Sequence, residues 1–447
     1  MKIGMVSLGC AKNMTDAEIM LGILAEKGHK IVNEPEDAEV IIVNTCGFIT
    51  PAKQESIDTI FEMAEYKKSG KCRILIATGC LAERYNAEME KEIPELDAIV
   101  GTGDFDKIDS IIKKVENGEK VCLFGHQSYT LPEDLPRMLS TPFYTAYLKI
   151  ADGCDNNCTY CAIPRIRGHY KSRKKEDILA EAKRLAESGV KELIIIAQDT
   201  TRYGIDIYGK PALPELLKEL CKIDKIHWIR LHYFYTEAIT DGLISVMAEN
   251  DKICPYVDMP IQHINDEILR RMARRTNRAE IEKRIRDLRE KIPDVTIRTS
   301  IISGFPGETE EQFNELKAFV RETEFDRMGV FAYSAEEGTP AYDFPNQIDE
   351  ETKERRKNEL MEIQQEISLR KNQAKIGSVM EVLCEGYDRD NFMYFGRSRA
   401  DSIDVDGKVY FASEDETEIG AFVKVEILDA DEYDLVGKEG YSNECTK

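Results

Sequence analysis

The chain has 447 residues, 42% hydrophobic and 32% charged; this length predicts about three domains, and the balance excludes wholesale disorder. Its 83 acidic and 61 basic side chains leave a net charge of −22, a bulk field that favours basic partners over nucleic acid, which is not expected as the main contact. No run approaches the ~18 uninterrupted apolar residues of a membrane span, and the opening MKIGMVSLGC lacks the apolar core and cleavage site of a signal peptide, so a cytoplasmic protein with no membrane contact is expected.

Residues 1–128 alternate the apolar runs KIGMVSL, EVIIVNT, RILIATG, DAIVG and KVCLF with helical patterns such as PAKQESIDTIFEMAEYKKSG. This βαβ rhythm predicts an α/β domain with a doubly wound parallel sheet. The polar, proline-bearing residues 129–140 read as a linker. From 141 to 348 the rhythm restarts with AYLKIA, ELIIIAQ, HWIRLHY, YVDMPI, TIRTSII and MGVFAYS, most of them followed by a helical pattern. Six βα units fall short of the eight in a closed barrel and predict a partial (β/α)6, TIM-like barrel. Residues 349–375 read as one charged connecting helix. Residues 376–440 carry short β runs separated by Asp and Gly, the signature of a small antiparallel β-barrel that presents a binding surface. The segment 376–447 holds 18 acidic and 7 basic side chains, a net charge of −11.

Twelve cysteines are too sparse for a disulfide scaffold in a chain this long, and clustered thiols in a reducing compartment bind metal or do chemistry. Cys154, Cys158 and Cys161 form C-x3-C-x2-C in the loop after the first strand of the second domain, at the end of the barrel where active sites form. Three thiolates on one soft metal centre leave a coordination position open. An iron–sulfur cluster fits that pattern; the alternative is zinc completed by a histidine such as His169. Cys10, Cys46 and Cys80 each lie just past a predicted parallel strand, on the edge where such sheets bind ligands. They read as a second three-thiolate site, against the alternative of buried small apolar residues. Cys72 and Cys122 read as core or incidental, and Cys221, Cys254, Cys384 and Cys445 show no pattern.

The C-x3-C-x2-C loop with Tyr160 before its last cysteine resembles the radical S-adenosylmethionine superfamily. The resemblance implies that Cys154, Cys158 and Cys161 hold a [4Fe–4S] cluster whose free iron binds S-adenosylmethionine and cleaves it to a 5′-deoxyadenosyl radical. Two open-site triads followed by a small β-barrel resemble the methylthiotransferase family over nearly the whole chain. This implies a second [4Fe–4S] cluster on Cys10, Cys46 and Cys80 that carries or donates sulfur, a TRAM-like terminal barrel that recognises substrate, and a reductant such as flavodoxin or ferredoxin. One S-adenosylmethionine would supply the methyl group and another the radical.

Within that family, VSLGCAKNMTDAE, VNTCGFITPAKQESIDTI and IAQDTTRYGID resemble the branch that modifies ribosomal proteins, with Ala11-Lys12 and Gly47-Phe48 after the first two cysteines. The resemblance implies β-methylthiolation of an aspartate in a basic small-subunit ribosomal protein, the twelfth; the alternative is C2 methylthiolation of a tRNA adenosine. The acidic terminal barrel independently suits a basic protein partner rather than tRNA.

Polar residues at barrel strand ends are weaker candidates. Tyr160, Gln198, Gln262 and Arg298 are expected to contact the cofactor, and Asp199, Arg230 and His263 share the strand-end placement, although each side chain could equally cap a helix or pair with a carboxylate. GFPGET, Gly304 to Thr309, lacks the lysine and spacing of a P-loop and reads as a tight turn shaping the cofactor pocket. Thr236 and the segment ADSIDVDGK depart from the family's pattern and are expected to alter how a substrate loop is gripped.

Overall fold

The computed structural model describes residues 1–125 and 135–440. In the first unit, strands β1 (Lys2–Ser7), β2 (Lys30–Ile31), β3 (Val40–Thr45), β4 (Ile74–Gly79), β5 (Ala98–Val100) and β6 (Val121–Leu123) form one parallel sheet in the order β2-β1-β3-β4-β5-β6. Successive residues serve opposite faces. Val40 and Ile42 pack with Met20, Ile108 and Ile112 from the helices Ala11–Glu26 and Ile108–Glu116. Ile41 and Val43 pack with Ile60, Met63 and Leu81 from the helices Thr50–Ser69 and Cys80–Arg84 on the other face. The doubly wound sheet is therefore as the sequence indicates, with the two-residue edge strand β2 added.

Of the expected linker, residues 129–134 lie outside the described residues. The remainder is strapped down rather than loose. Arg137 pairs with Glu18 at 2.5 Å and Glu181 at 2.8 Å. Gly22 lies so close to Pro136 that an added Cβ would stand 2.5 Å from its carbonyl carbon.

The second unit begins with β7 (Thr145–Lys149) and a small antiparallel pair, β8 (Ala151–Asp152) with β9 (Lys171–Ser172), which brackets the C-x3-C-x2-C loop. Then come β10 (Glu192–Ile196), β11 (Trp228–Leu231), β12 (Tyr256–Asp258), β13 (Thr296–Ser303) and β14 (Arg327–Ala332). Parallel pairing runs β7-β10-β11 and β12-β13-β14. A bridge between Ile229 and Ile253 and a 2.9 Å bond from the Cys254 amide to the Ile229 carbonyl join the halves into a six-stranded open arc. Leu148, Leu193 and Ile195 face the helices and form the largest core, while Tyr147, Ile194 and Ile196 face inward.

The helix Glu350–Gln373, capped by the Asp349 carboxylate, docks Leu360, Ile363 and Ile367 into that core. It leads to β15 (Val379–Asp388), β16 (Met393–Ser398), β17 (Val409–Ala412), β18 (Phe422–Ala430) and β19 (Leu435–Glu439), a closed barrel in the order β15-β16-β17-β19-β18. Four pairings are antiparallel; β17 and β19 pair in parallel, through a last strand that the sequence patterning did not single out.

The terminal barrel grips the arc from inside. Arg397 on β16 binds Glu192 on β10 at 2.6 Å, and Arg230 on β11 binds the same carboxylate at 2.9 Å while donating to the Arg399 carbonyl. The segment beyond β16 enters the arc: Ser402 meets His232 Nε2 at 2.8 Å, Tyr256 donates to Asp406 at 2.6 Å, and Ile403 packs on Tyr147, Ile194 and Ile196. For Arg230 a place at the mouth and a carboxylate partner were equally open, and the structure gives it the partner: it binds Glu192 on the adjacent strand, and carbonyls of the entering segment take up the rest of its guanidinium. ADSIDVDGK, expected to bear on substrate grip, supplies most of that entering segment.

Candidate active site between two cysteine triads

The triad of the first unit assembles at the C-terminal edge of its sheet. Cys10 follows β1 and caps the helix Ala11–Glu26, Cys46 follows β3, and Cys80 opens the helix Cys80–Arg84 after β4. Glycines permit the approach. Gly9, at φ +88°, lies so close to Cys46 that a Cβ there would stand 2.9 Å from its sulfur, and one on Gly47 would stand 2.8 Å from the Cys80 carbonyl. Burial pushes the Cys46 thiol up to about 11, and the thiols of Cys80 and Cys10 add to the rise. Burial also raises Cys80, against the pull of Arg167. At Cys10 burial is outweighed by the cations Lys12 and Arg167, and its pKa falls.

The second triad occupies the loop between β8 and β9. Gly153, at φ +76°, brings the chain so close to His169 that a Cβ would stand 2.1 Å from its carbonyl oxygen, and the Cys154 amide donates to the Gly168 carbonyl at 3.1 Å. Asn156 donates to Asp199 at 2.9 Å, and the Cys161 amide donates to the Cys158 carbonyl at 3.0 Å. Burial raises Cys154 to about 11, and burial followed by the neighbouring Cys158 raises Cys161.

All six thiols are free. Among the described residues no three His, Cys, Asp or Glu side chains are arranged to hold a single metal ion. A lone zinc, bonded at about 2.3 Å to each sulfur, needs sulfurs within about 4 Å of one another. His169, 94% exposed at its side chain, is paired with Asp155 at 2.9 Å. Three soft donors in each set suit a polynuclear iron–sulfur centre.

A buried charged bridge connects the triads. Cys161 leads directly into the helix Ile163–Arg167, whose Ile166, with Ala162, packs against Cys80. Arg167 reaches Asp16 at 2.7 Å, Asp152 at 3.0 Å, Asn13 at 3.2 Å and the Cys80 sulfur at 3.5 Å. Lys149 completes the bridge by binding Asp16 and Asp152. Burial opposes ionisation of Asp152, but Lys149 and Arg167 hold it well below the usual carboxylate range. On the far side, Glu336 after β14 receives Lys53 and Arg84 of the first unit, both at 2.8 Å.

The other predicted residues divide. Gln198 joins the bridge, donating to Asp152 at 2.7 Å and leaving its buried carbonyl oxygen without a partner. Tyr160 packs with Phe305, Tyr333 and Met272 and lies beside Cys158 and Arg274, with burial pushing its hydroxyl well above the ordinary range. Gln262 takes a left-handed backbone, φ 70°, and its amide donates to the Ser300 carbonyl. Arg298 is held by Asp258 at 2.8 Å. His263 is buried and accepts from the Asn265 amide. In GFPGET, Glu308 accepts from the Gly304 amide at 2.6 Å and binds Arg356 of the long helix at 3.1 Å, so the turn is tied to that helix. Thr236 opens the short turn Thr236–Ala238 with its hydroxyl buried and unpartnered. Arg167, Asp16 and Arg274 escaped the sequence reading. Nothing in the spacing marks Asp16, and Arg274 sits in an arginine-rich run that reads as a solvated face.

An open arc of parallel strands with a three-cysteine loop after its first strand defines a radical S-adenosylmethionine enzyme. The Radical SAM superfamily matches residues 148–320, the Uncharacterized protein family UPF0004 matches 2–101, and the TRAM domain matches 376–439. The fold is similar to the cobalamin- and [4Fe–4S]-bound radical S-adenosylmethionine methyltransferase TsrM from Kitasatospora setae, with a TM-score of 0.55 and 13% identity, covering 74% of each chain. The chain is 56% identical over 437 residues to the ribosomal protein uS12 methylthiotransferase RimO of Clostridioides difficile, covering 98% of both. It is 53% identical over 436 residues to the protein of the same name from a Thermoanaerobacter species, covering 98% of this chain and 99% of the relative. The chain belongs to this RimO methylthiotransferase family.

Proposed function

We propose that this protein methylthiolates the β-carbon of an aspartate in ribosomal protein uS12, using two [4Fe–4S] clusters. The observation that supports the reading is the pair of three-cysteine sets, joined where Arg167 and Ile166 of the helix after Cys161 meet Cys80, in a chain of this family. A β-C–H bond has no usable acidity, so general acid–base chemistry does not reach it. A reduced cluster with S-adenosylmethionine supplies a carbon radical that removes such a hydrogen, and a second S-adenosylmethionine supplies methyl.

The chain's own residues divide the remaining work. Cys154, Cys158 and Cys161 hold the radical-generating cluster, and Tyr160 and Gln198 line its approach. Gln262 and Arg298 lie further along the inner face; Arg298 acts through Asp258. Cys10, Cys46 and Cys80 hold the sulfur-carrying cluster, and the bridge through Arg167 keeps the two sites in fixed register. The helices and strands packed around the junction keep competing hydrogen donors away from a radical. The acidic terminal barrel attracts the basic ribosomal protein and repels tRNA, so tRNA adenosine methylthiolation is not favoured. Electrons come from a flavodoxin or ferredoxin in the cytoplasm. No helix among the described residues is long and apolar enough to cross a membrane.

The test is anaerobic. The reconstituted protein, given reductant and S-adenosylmethionine, is offered uS12 and unmodified tRNA separately. Mass spectrometry is expected to find an added methylthio group on uS12 alone; a gain on tRNA alone overturns the reading.

A further inference from the structure

Among the described residues, eight lysines and arginines are buried, and six of them meet a carboxylate. The exceptions are Lys12 and Arg274. Arg274 is accounted for: it donates to the Pro260 carbonyl at 3.0 Å and stacks on Tyr235 at 4.4 Å. Lys12, 8% exposed, makes no ion pair among the described residues. Its ammonium stands 3.4 Å from the centre of the Tyr233 ring, and the groups that bear most on its charge are Tyr233, the Cys10 thiol and Arg167. Removing an ammonium from water without a carboxylate partner is costly, and the cation–π contact and the nearby Cys10 thiol return only part of that cost.

Its position is informative. Lys12 lies two residues past Cys10, and Tyr233 lies just beyond β11, at the mouth of the arc. Tyr233 is itself held in a left-handed backbone, φ 61°, by bonds from the Thr200 amide and hydroxyl to its carbonyl. The neighbouring cations are already committed: Arg167 and Lys149 to Asp16 and Asp152, and Arg298 to Asp258. Among the described residues, Lys12 is the buried cation that meets neither a carboxylate nor a backbone carbonyl, and it is placed to receive an external anion.

We propose that the Lys12 ammonium binds the side-chain carboxylate of the substrate aspartate, making Lys12 a specificity-determining residue. This rests on the reading of the protein as an aspartate methylthiotransferase. The carboxylate is bonded directly to the carbon that reacts, so gripping it fixes that carbon between the two triads. It also makes the site select aspartate over asparagine, because the neutral amide leaves the ammonium unpaired.

The experiment measures binding. The reconstituted wild type and Lys12→Met are titrated by fluorescence anisotropy with labelled uS12 carrying its target aspartate, and with the same protein carrying asparagine there. Iron content is measured in parallel. The wild type is expected to bind the aspartate form about ten- to a hundredfold tighter. Lys12→Met is expected to bind both forms alike, at the wild type's affinity for the asparagine form, with its iron retained. A wild type indifferent to the change, or a Lys12→Met that still discriminates, overturns the proposal. Loss of iron in Lys12→Met together with retained discrimination assigns the residue to the Cys10 site instead. A wild type that binds neither form of uS12 fails the functional reading itself, in the wild-type arm alone, and the proposal falls with it.

Discussion

The guanidinium of Arg167 lies 3.5 Å from the sulfur of Cys80, although the two residues belong to different domains. Arg167 ends the helix Ile163–Arg167, which begins two residues past the third cysteine of the barrel triad, and Cys80 completes the triad of the first domain. One helical turn thus spans from one cysteine triad to the other.

Replacing Arg167 with Met removes one of the two cations that bind the buried Asp16 and the partly exposed Asp152 and leaves Lys149. Breaking a buried pair in this way costs about 3–5 kcal/mol. Chemical denaturation is expected to show a lowered midpoint, and iron analysis a deficit at the Cys10, Cys46 and Cys80 site. A variant with the stability and iron content of the wild type refutes the bridging role.

The two triads are expected to separate by mutation. Cys154→Ala abolishes S-adenosylmethionine cleavage, whereas Cys46→Ala spares much of it and abolishes methylthio transfer. Product analysis for 5′-deoxyadenosine and for modified uS12 checks both. Equal loss of cleavage in the two variants contradicts the division of labour.

Glu192 anchors the terminal barrel through Arg397 and Arg230, which overcome its burial and hold its carboxyl at about 2. The unfolded value is about 4.3, so the folded pKa is depressed. Its stabilising contribution is fully present above pH ~4.3 and is lost as pH falls from there through about 2. Glu192→Gln removes the carboxylate that two buried arginines share, at a cost of up to about 3–5 kcal/mol near neutrality. In urea titrations at several pH values the deficit is expected to stay constant above pH ~5 and to shrink below ~4. A deficit that grows with acid excludes the ion pair as its source.

If the acidic barrel attracts uS12 by charge, binding weakens with salt. The screening length falls from about 10 Å at 0.1 M to about 3 Å at 1 M, so association rates across that range are expected to drop at least tenfold. A flat salt profile points to apolar recognition instead.

Much of this was legible in the sequence, for physical reasons. Val40–Val43 and Ile74–Ala77 are continuous apolar runs, which only a sheet covered on both faces requires. A cysteine after each of three parallel strands marks one edge, because parallel strands end on the same side. The role of Arg230 stayed open because its place near the end of β11 resembles that of a mouth residue, and only the partner Glu192, 38 residues earlier, decides it. β19 and the parallel closure escaped because LVGKE is too short and mixed to carry a period of two. Asp16 escaped because an aspartate in a helix ordinarily faces water, and its partners come from another domain.

The segment from Arg397 to Asp406 has a consequence for how such enzymes diversify. It corks the arc with side chains matched to Glu192, His232, Tyr256 and Arg327. A transplanted terminal barrel from a relative with a different cork would leave the recipient arc leaking solvent toward a radical reaction. New substrate preferences are therefore gained more readily by repainting the outer surface of the resident barrel than by exchanging it whole.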